Sequence, residues 1–144
     1  MKPTPPQQRR LFDTPATRLA ALPRAIKCAL RAAVESSGLS REEVVHRANL
    51  LAKESGISLC GGNGGLGMPN FNKWLDLNSP HLPGTMALNV LCEVLQNYEA
   101  LAVSLEVHEL SIMWPEDRKF CALGKATHQL KEARQQLKRA EEQI

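Results

Sequence analysis

A seven-residue repeat toward the C-terminal end restricts the fold of this chain more than any other feature. Leu123, Leu130, Leu137 and Ile144 recur every seven residues, and Ala126, Ala133 and Ala140 follow three residues behind the first three. That spacing places both sets on one stripe of an α-helix, as the a and d positions of a coiled coil. Lys125, Lys131, Glu132, Arg134, Lys138, Arg139, Glu141 and Glu142 fall outside the stripe. Leu123 to Ile144 would span about 33 Å of helix at 1.5 Å per residue. A lone helix of this length is only marginally stable in water, so the stripe calls for a partner and predicts a dimer. The competing expectation, packing back on the chain's own domain, suits the first turns near Phe120 and Leu123 better than the polar surroundings of Leu137. Trp114-Pro115-Glu116-Asp117 marks the start, with proline early and acidic groups near the positive end of the helix dipole.

The rest of the chain also reads as helical. Hydrophobic residues make up 43% of the 144 but aromatic ones only 4%, so the core is built mainly from Leu, Val and Ala, which favours helices over strands. Thr14-Pro15 resembles a capped helix start, and Pro23 is expected to interrupt or restart that helix. Ile26, Leu30, Ala33 and Val34 then recur at helical spacing up to Gly38. Leu39-Ser40-Arg41-Glu42-Glu43 carries a hydrophobic staple and a capping box, in which Ser40 and Glu43 cap each other's backbone. A second helix follows through Val44, Val45, Ala48, Leu51 and Ala52 to Ser55-Gly56. A third, short helix puts Phe71, Trp74 and Leu75 on one apolar face and leaves Met68, Asn70, Asn72 and Lys73 off it. Asn78-Ser79-Pro80 closes it. Thr85 is a candidate cap for a fourth helix with Leu88, Leu91, Cys92 and Leu95 inward, and a fifth holds Tyr98, Leu101 and Leu105. Glu106 to Met113 fits either an extended segment or a turn packed on the core.

Several kinds of chemistry find no support. The run Gly61-Gly62-Asn63-Gly64-Gly65-Leu66-Gly67 invites a phosphate-loop reading, but such a loop needs a preceding strand and a following Lys-Ser/Thr. Met68-Pro69-Asn70 follows instead, so the segment is expected to be a mobile connector. Cys28, Cys60, Cys92 and Cys121 lie about thirty residues apart with no close pair, which argues against zinc and fits isolated thiols in a reducing compartment. His46, His81, His108 and His128 hold no i, i+4 pair. Glu42-Glu43 and Glu116-Asp117 sit where carboxylates serve helix starts. Cys60 is the one candidate nucleophile, and an incidental thiol is its ordinary reading. No run of about 18 apolar residues could span a membrane. Met1 to Thr14, with Pro3, Pro5 and Pro6, reads as a flexible arm and not as a secretory signal. Net charge is +3 and the pI about 8.8, which permits a nucleic-acid partner without requiring one. The sequence points to no catalytic residues, metal, cofactor or small-molecule substrate.

The order of helix, Gly-Leu-Ser, helix, connector, Trp-bearing short helix, proline-bearing loop and two short helices resembles the lambda-repressor-like (Cro-type) helix-turn-helix DNA-binding family. The residues that carry the resemblance are Leu30 to Gly38, Leu39-Ser40-Arg41-Glu42-Glu43, Asn70-Phe71-Asn72-Lys73-Trp74-Leu75 and Leu88 to Leu105. With its coiled C-terminus the chain also resembles small regulators of transposable Mu-like bacteriophages. The resemblance implies an all-α chain with a flexible arm over 1–14, a five-helix DNA-binding domain over 15–114 and a dimerising coiled-coil helix over 115–144. The family joins its two motif helices by a tight turn; here about a dozen Gly-rich residues stand between them.

The resemblance also assigns roles. The Ser40-led helix is the first of the motif and the Trp74 helix is the recognition helix. Recognition helices place their N-terminal side chains on base edges in the major groove. Met68, Asn70, Asn72 and Lys73 hold that position, Asn being suited to adenine and Lys to guanine or phosphate. Arg41 lies at a helix end that faces a phosphate, and Ser79 and His81 follow the recognition helix within reach of the backbone. Trp74 shares the Phe71 face and is expected to pack. The implied protein is a sequence-specific regulator in a bacterial or phage cytoplasm, binding double-stranded DNA as a homodimer. The alternative is a non-catalytic protein-interaction module whose working surface is the coiled segment.

Overall fold

The computed structural model describes residues 14–62 and 64–144. The arm expected over 1–14 therefore lies, apart from Thr14, outside the described residues. Those residues form an all-α structure of six helices with no strand: α1 (Pro15–Ser37), α2 (Arg41–Ser55), α3 (Met68–Leu75), α4 (Thr85–Leu95), α5 (Glu99–Glu106) and α6 (Pro115–Glu142). The chain divides into two compact units, one ending at Ser111 and the other comprising Ile112–Ile144.

In the first unit, Thr14 caps α1 by accepting from the Thr17 amide, and Pro15 occupies the first turn. Pro23 does not interrupt the helix. α1 runs through it to Ser37, because the proline ring is exposed and a single lost backbone bond is outweighed by the buried Leu30, Ala33 and Val34 beyond it. Gly38 ends α1 at φ 72, a left-handed conformation that glycine adopts without strain. Ser40 caps the Glu43 amide at 3.2 Å, but the reciprocal half of the capping box is replaced. The Glu43 carboxylate accepts from Arg47 Nε at 2.9 Å, one turn on. α2 ends in a Schellman motif: Gly56 is left-handed, the Ile57 amide donates back to the Ala52 carbonyl at 2.8 Å, and Ile57 packs on the core.

α3 is amphipathic as its spacing indicates, with Phe71, Trp74 and Leu75 buried. Met68 departs from expectation: it is half-buried and packs against the core. Gly84, not Thr85, is the N-cap of α4, with no side-chain cap bond. Leu88, Leu91, Cys92 and Leu95 face inward as anticipated, joined by Ala87 and Val90. Tyr98 is the N-cap of α5, and the side-chain oxygen of Asn97 before it accepts from the Glu99 amide at 3.0 Å. After it, Val107 to Glu109 form a turn and no regular structure follows until Pro115. Arg18 of α1 fastens this turn, donating to the Val107 carbonyl at 3.3 Å and standing 3.7 Å from the Glu109 carboxylate. α1 packs on α3, α4 and α5, α2 packs on α3 and α4, and α4 packs on α5. Phe71, Leu30, Leu75, Leu91 and Val44 are fully buried where these helices meet.

In the second unit, Trp114 is the N-cap of α6 and Pro115 its first residue, with Glu116 and Asp117 in the first turn. No residue of α6 is buried. Ile144, the last member of the heptad stripe, lies just beyond the helix end.

Candidate nucleic-acid interface

Three side chains from other elements hold α3 and the segments that flank it, and the sequence pattern singles out only one of them. The first is Lys27, on the core-facing side of α1 and only 2% exposed. Its ammonium donates to the carbonyls of Lys73 (2.7 Å), Asp76 (2.9 Å) and His81 (2.6 Å). The last carbonyls of a helix lack intrahelical partners and form the negative end of its dipole. Lys27 therefore caps α3 and pins the 76–81 connector with one group. Burial pushes its ammonium below the ordinary value of 10.5, partly offset by the Asp76 carboxylate.

The second is Asn49 on α2. Its carbonyl oxygen accepts from the Leu66 amide at 2.7 Å and its amide nitrogen donates to the Leu66 carbonyl at 2.8 Å. This two-way clamp, with Leu66 buried at 3%, fixes the end of the Gly-rich segment just before α3 begins. Leu59 is buried as well. The expectation of a uniformly mobile connector is thus corrected: the segment is anchored at Leu59 and Leu66, and the exposed glycines lie between them. Ser58 adds a local turn, accepting from the Gly62 amide and donating to its carbonyl. Gly65 passes so close to Asn49 that a Cβ there would collide with the amide. That glycine serves close approach, not flexibility.

The third is Arg41, in the first turn of α2. Its guanidinium donates to Asn72 Oδ1 at 2.9 Å, linking two exposed residues 31 positions apart. A single contact therefore brings together two of the residues singled out in the sequence. Asn70 and Lys73 are also exposed on α3, clear of the Phe71–Trp74–Leu75 face. The N-terminus of α3 follows Gly67 with no side-chain cap. No carboxylate occurs between Glu54 and Asp76 in the sequence, so acidic groups of that stretch do not oppose an anion there. Ser79 and His81 lie past the other end of α3. Ser79 Oγ accepts from the His81 amide at 3.3 Å and the His81 carbonyl receives Lys27, while the imidazole is exposed. Trp74 is 6% exposed and packs in the core, as its face indicates.

Lys27 and Asn49, which hold α3 and the segment before it, are the positions that the sequence pattern does not mark. Each is a polar residue inside an apolar helical period. Lys27 precedes Leu30 and Val34 by three and seven residues, and Asn49 precedes Ala52 by three and follows Val45 by four. That displacement was their only signal.

The described residues contain no group of three or more His, Cys, Asp or Glu side chains placed to hold a metal ion. Cys28 and Cys60 are exposed, Cys121 is half-buried, and burial raises the pKa of the Cys92 thiol. No described helix is long and apolar enough to cross a membrane. No protein-family model, curated protein or solved structure matches this chain.

Proposed function

We propose that this chain is a non-catalytic, sequence-specific DNA-binding regulator that acts as a homodimer, with α3 as its recognition helix. The observation that carries the reading is the Arg41–Asn72 hydrogen bond. It joins the N-terminal turn of α2 to the exposed side of α3, where Asn70 and Lys73 are also displayed. An arginine at a helix N-terminus suits a phosphate, and it orients an asparagine suited to a base edge. Lys27 and Asn49 support the same reading, because a helix that reads bases must be held rigidly. The long segment between α2 and α3 is compatible with it, since its far end is clamped by Asn49 directly before the helix.

A second reading, a protein-interaction module, draws on the exposed leucines of α6. The two part at one experiment. Fluorescence anisotropy of labelled duplex DNA, titrated with the full chain from 50 to 200 mM salt, shows affinity falling with salt on the DNA reading, because bound basic groups release counterions. The absence of binding at the low-salt end leaves only the interaction module.

A further inference from the structure

The heptad stripe of α6 has an internal asymmetry: its a positions are large and its d positions small. Leu123, Leu130 and Leu137 are 65%, 52% and 62% exposed, so they are free to be covered. Ala126, Ala133 and Ala140 are exposed beside them. From this we infer that α6 pairs antiparallel with α6 of a second copy, with Leu123 opposite Ala140, Leu130 opposite Ala133 and Leu137 opposite Ala126. The inference deepens the homodimer of the proposed function and rests on it.

The argument is one of layer size. In a parallel, in-register pair each a residue meets its own copy, and so does each d residue. Leu–Leu layers then alternate with Ala–Ala layers. The leucines set the spacing of the helices and leave the alanine layers underfilled, and close-packed interiors do not tolerate such voids without loss. In the antiparallel pair a faces d. A single register places every α6 leucine of the stripe against an alanine, and all six layers hold one of each. The helices then approach evenly and closely along three heptads. The flanks agree. In this register Arg134 lies beside Thr127 of the second copy, and Gln129 beside Gln136, so no like charges meet. Antiparallel helix dipoles add a small favourable term.

Cys121, His128, Gln135 and Glu142 share one heptad position on the outer side of α6, away from the stripe, which makes orientation measurable. The test uses the full chain with the exposed Cys28 and Cys60 replaced by Ser and the buried Cys92 retained. One nitroxide per chain is placed at Cys121, or, in a C121A background, at H128C, Q135C or E142C. Pulsed dipolar spectroscopy then reads the distance between copies. In the antiparallel register the two labels are offset along the axis by about 31 Å at positions 121 and 142, but by about 10 Å at 128 and 135. The expected pattern is long, short, short, long. Equal distances at all four sites mean a parallel dimer and overturn the orientation while leaving the homodimer intact. A complete absence of dipolar coupling at tens of micromolar means a monomer and overturns both.

Discussion

The Lys27 ammonium donates to the His81 carbonyl at 2.6 Å across 54 positions of the chain, while also holding the carbonyls of Lys73 and Asp76. One buried group thus fixes the end of α3 and the connector that leaves it. Lys27→Met, which keeps the volume and removes the donors, is expected to destabilise the chain by about 2 kcal/mol, since three part-buried carbonyls lose their partner together and a hydrogen bond to a charged group is worth about 1.5–3 kcal/mol. Urea unfolding measures this. A loss below about 1 kcal/mol would show that water replaces the ammonium and that Lys27 does not position α3.

On the DNA reading, Arg41 and Asn70 separate by role. Arg41→Ala lowers the salt slope by about one and, by releasing Asn72, also relaxes preference at the base pair Asn72 reads, while Asn70→Ala costs about 1–3 kcal/mol and relaxes preference at a different base pair with the salt slope unchanged. Because Arg41 holds Asn72, the losses from Arg41→Ala and Asn72→Ala are expected to be non-additive in the double variant. Additive losses would mean that the contact plays no part in binding.

Neighbouring glycines before α3 are expected to respond differently to the same change. Gly65→Ala drives a Cβ into the Asn49 amide and breaks its clamp on Leu66, at a cost of about 1–3 kcal/mol. Gly64→Ala meets nothing within 4 Å and should stay within about 0.5 kcal/mol of the parent. Hydrogen exchange provides a second readout. The Leu66 amide, bonded to Asn49, should be protected, whereas the exposed Gly61 and Gly64, which have no hydrogen bond among the described residues, should exchange fast. Equal exchange across the segment would contradict the clamp.

These residues show where the sequence was legible. Phe71, Trp74 and Leu75, and Leu88 through Leu95, were recognisable because helical periodicity and burial share one cause. The Ser40 cap and the glycine stops followed from local backbone chemistry. Pro23 departs from expectation because its local penalty is set against the packing of residues further along α1. Glu43 chose Arg47 over its own helix start, a choice between two nearby partners that spacing alone does not resolve. Lys27 and Asn49 stayed hidden because their partners are backbone groups 17 to 54 residues away. Sequence pattern carries no record of a carbonyl's position. The Arg41–Asn72 contact joins two positions the sequence had marked separately.

Self-association is expected to fail when the stripe is charged. Leu130→Glu puts a carboxylate in the middle of the α6 seam, and sedimentation of the full-length variant at tens of micromolar should give a monomer where the parent gives a dimer. DNA affinity should fall with it, because the second half-site is lost. A parent chain that sediments as a monomer would contradict the dimer directly.

Selection of bound sequences from random duplex DNA at near-physiological salt, using the full chain, tests the central claim most directly. The account predicts enrichment of a short motif present twice in two-fold symmetric arrangement, one half-site for each subunit. It further predicts that the Asn70→Ala chain, carried through the same selection, loses preference at one position of that motif. A recovered pool with no more sequence bias than the starting pool would contradict DNA reading by α3, whatever the oligomeric state of the chain.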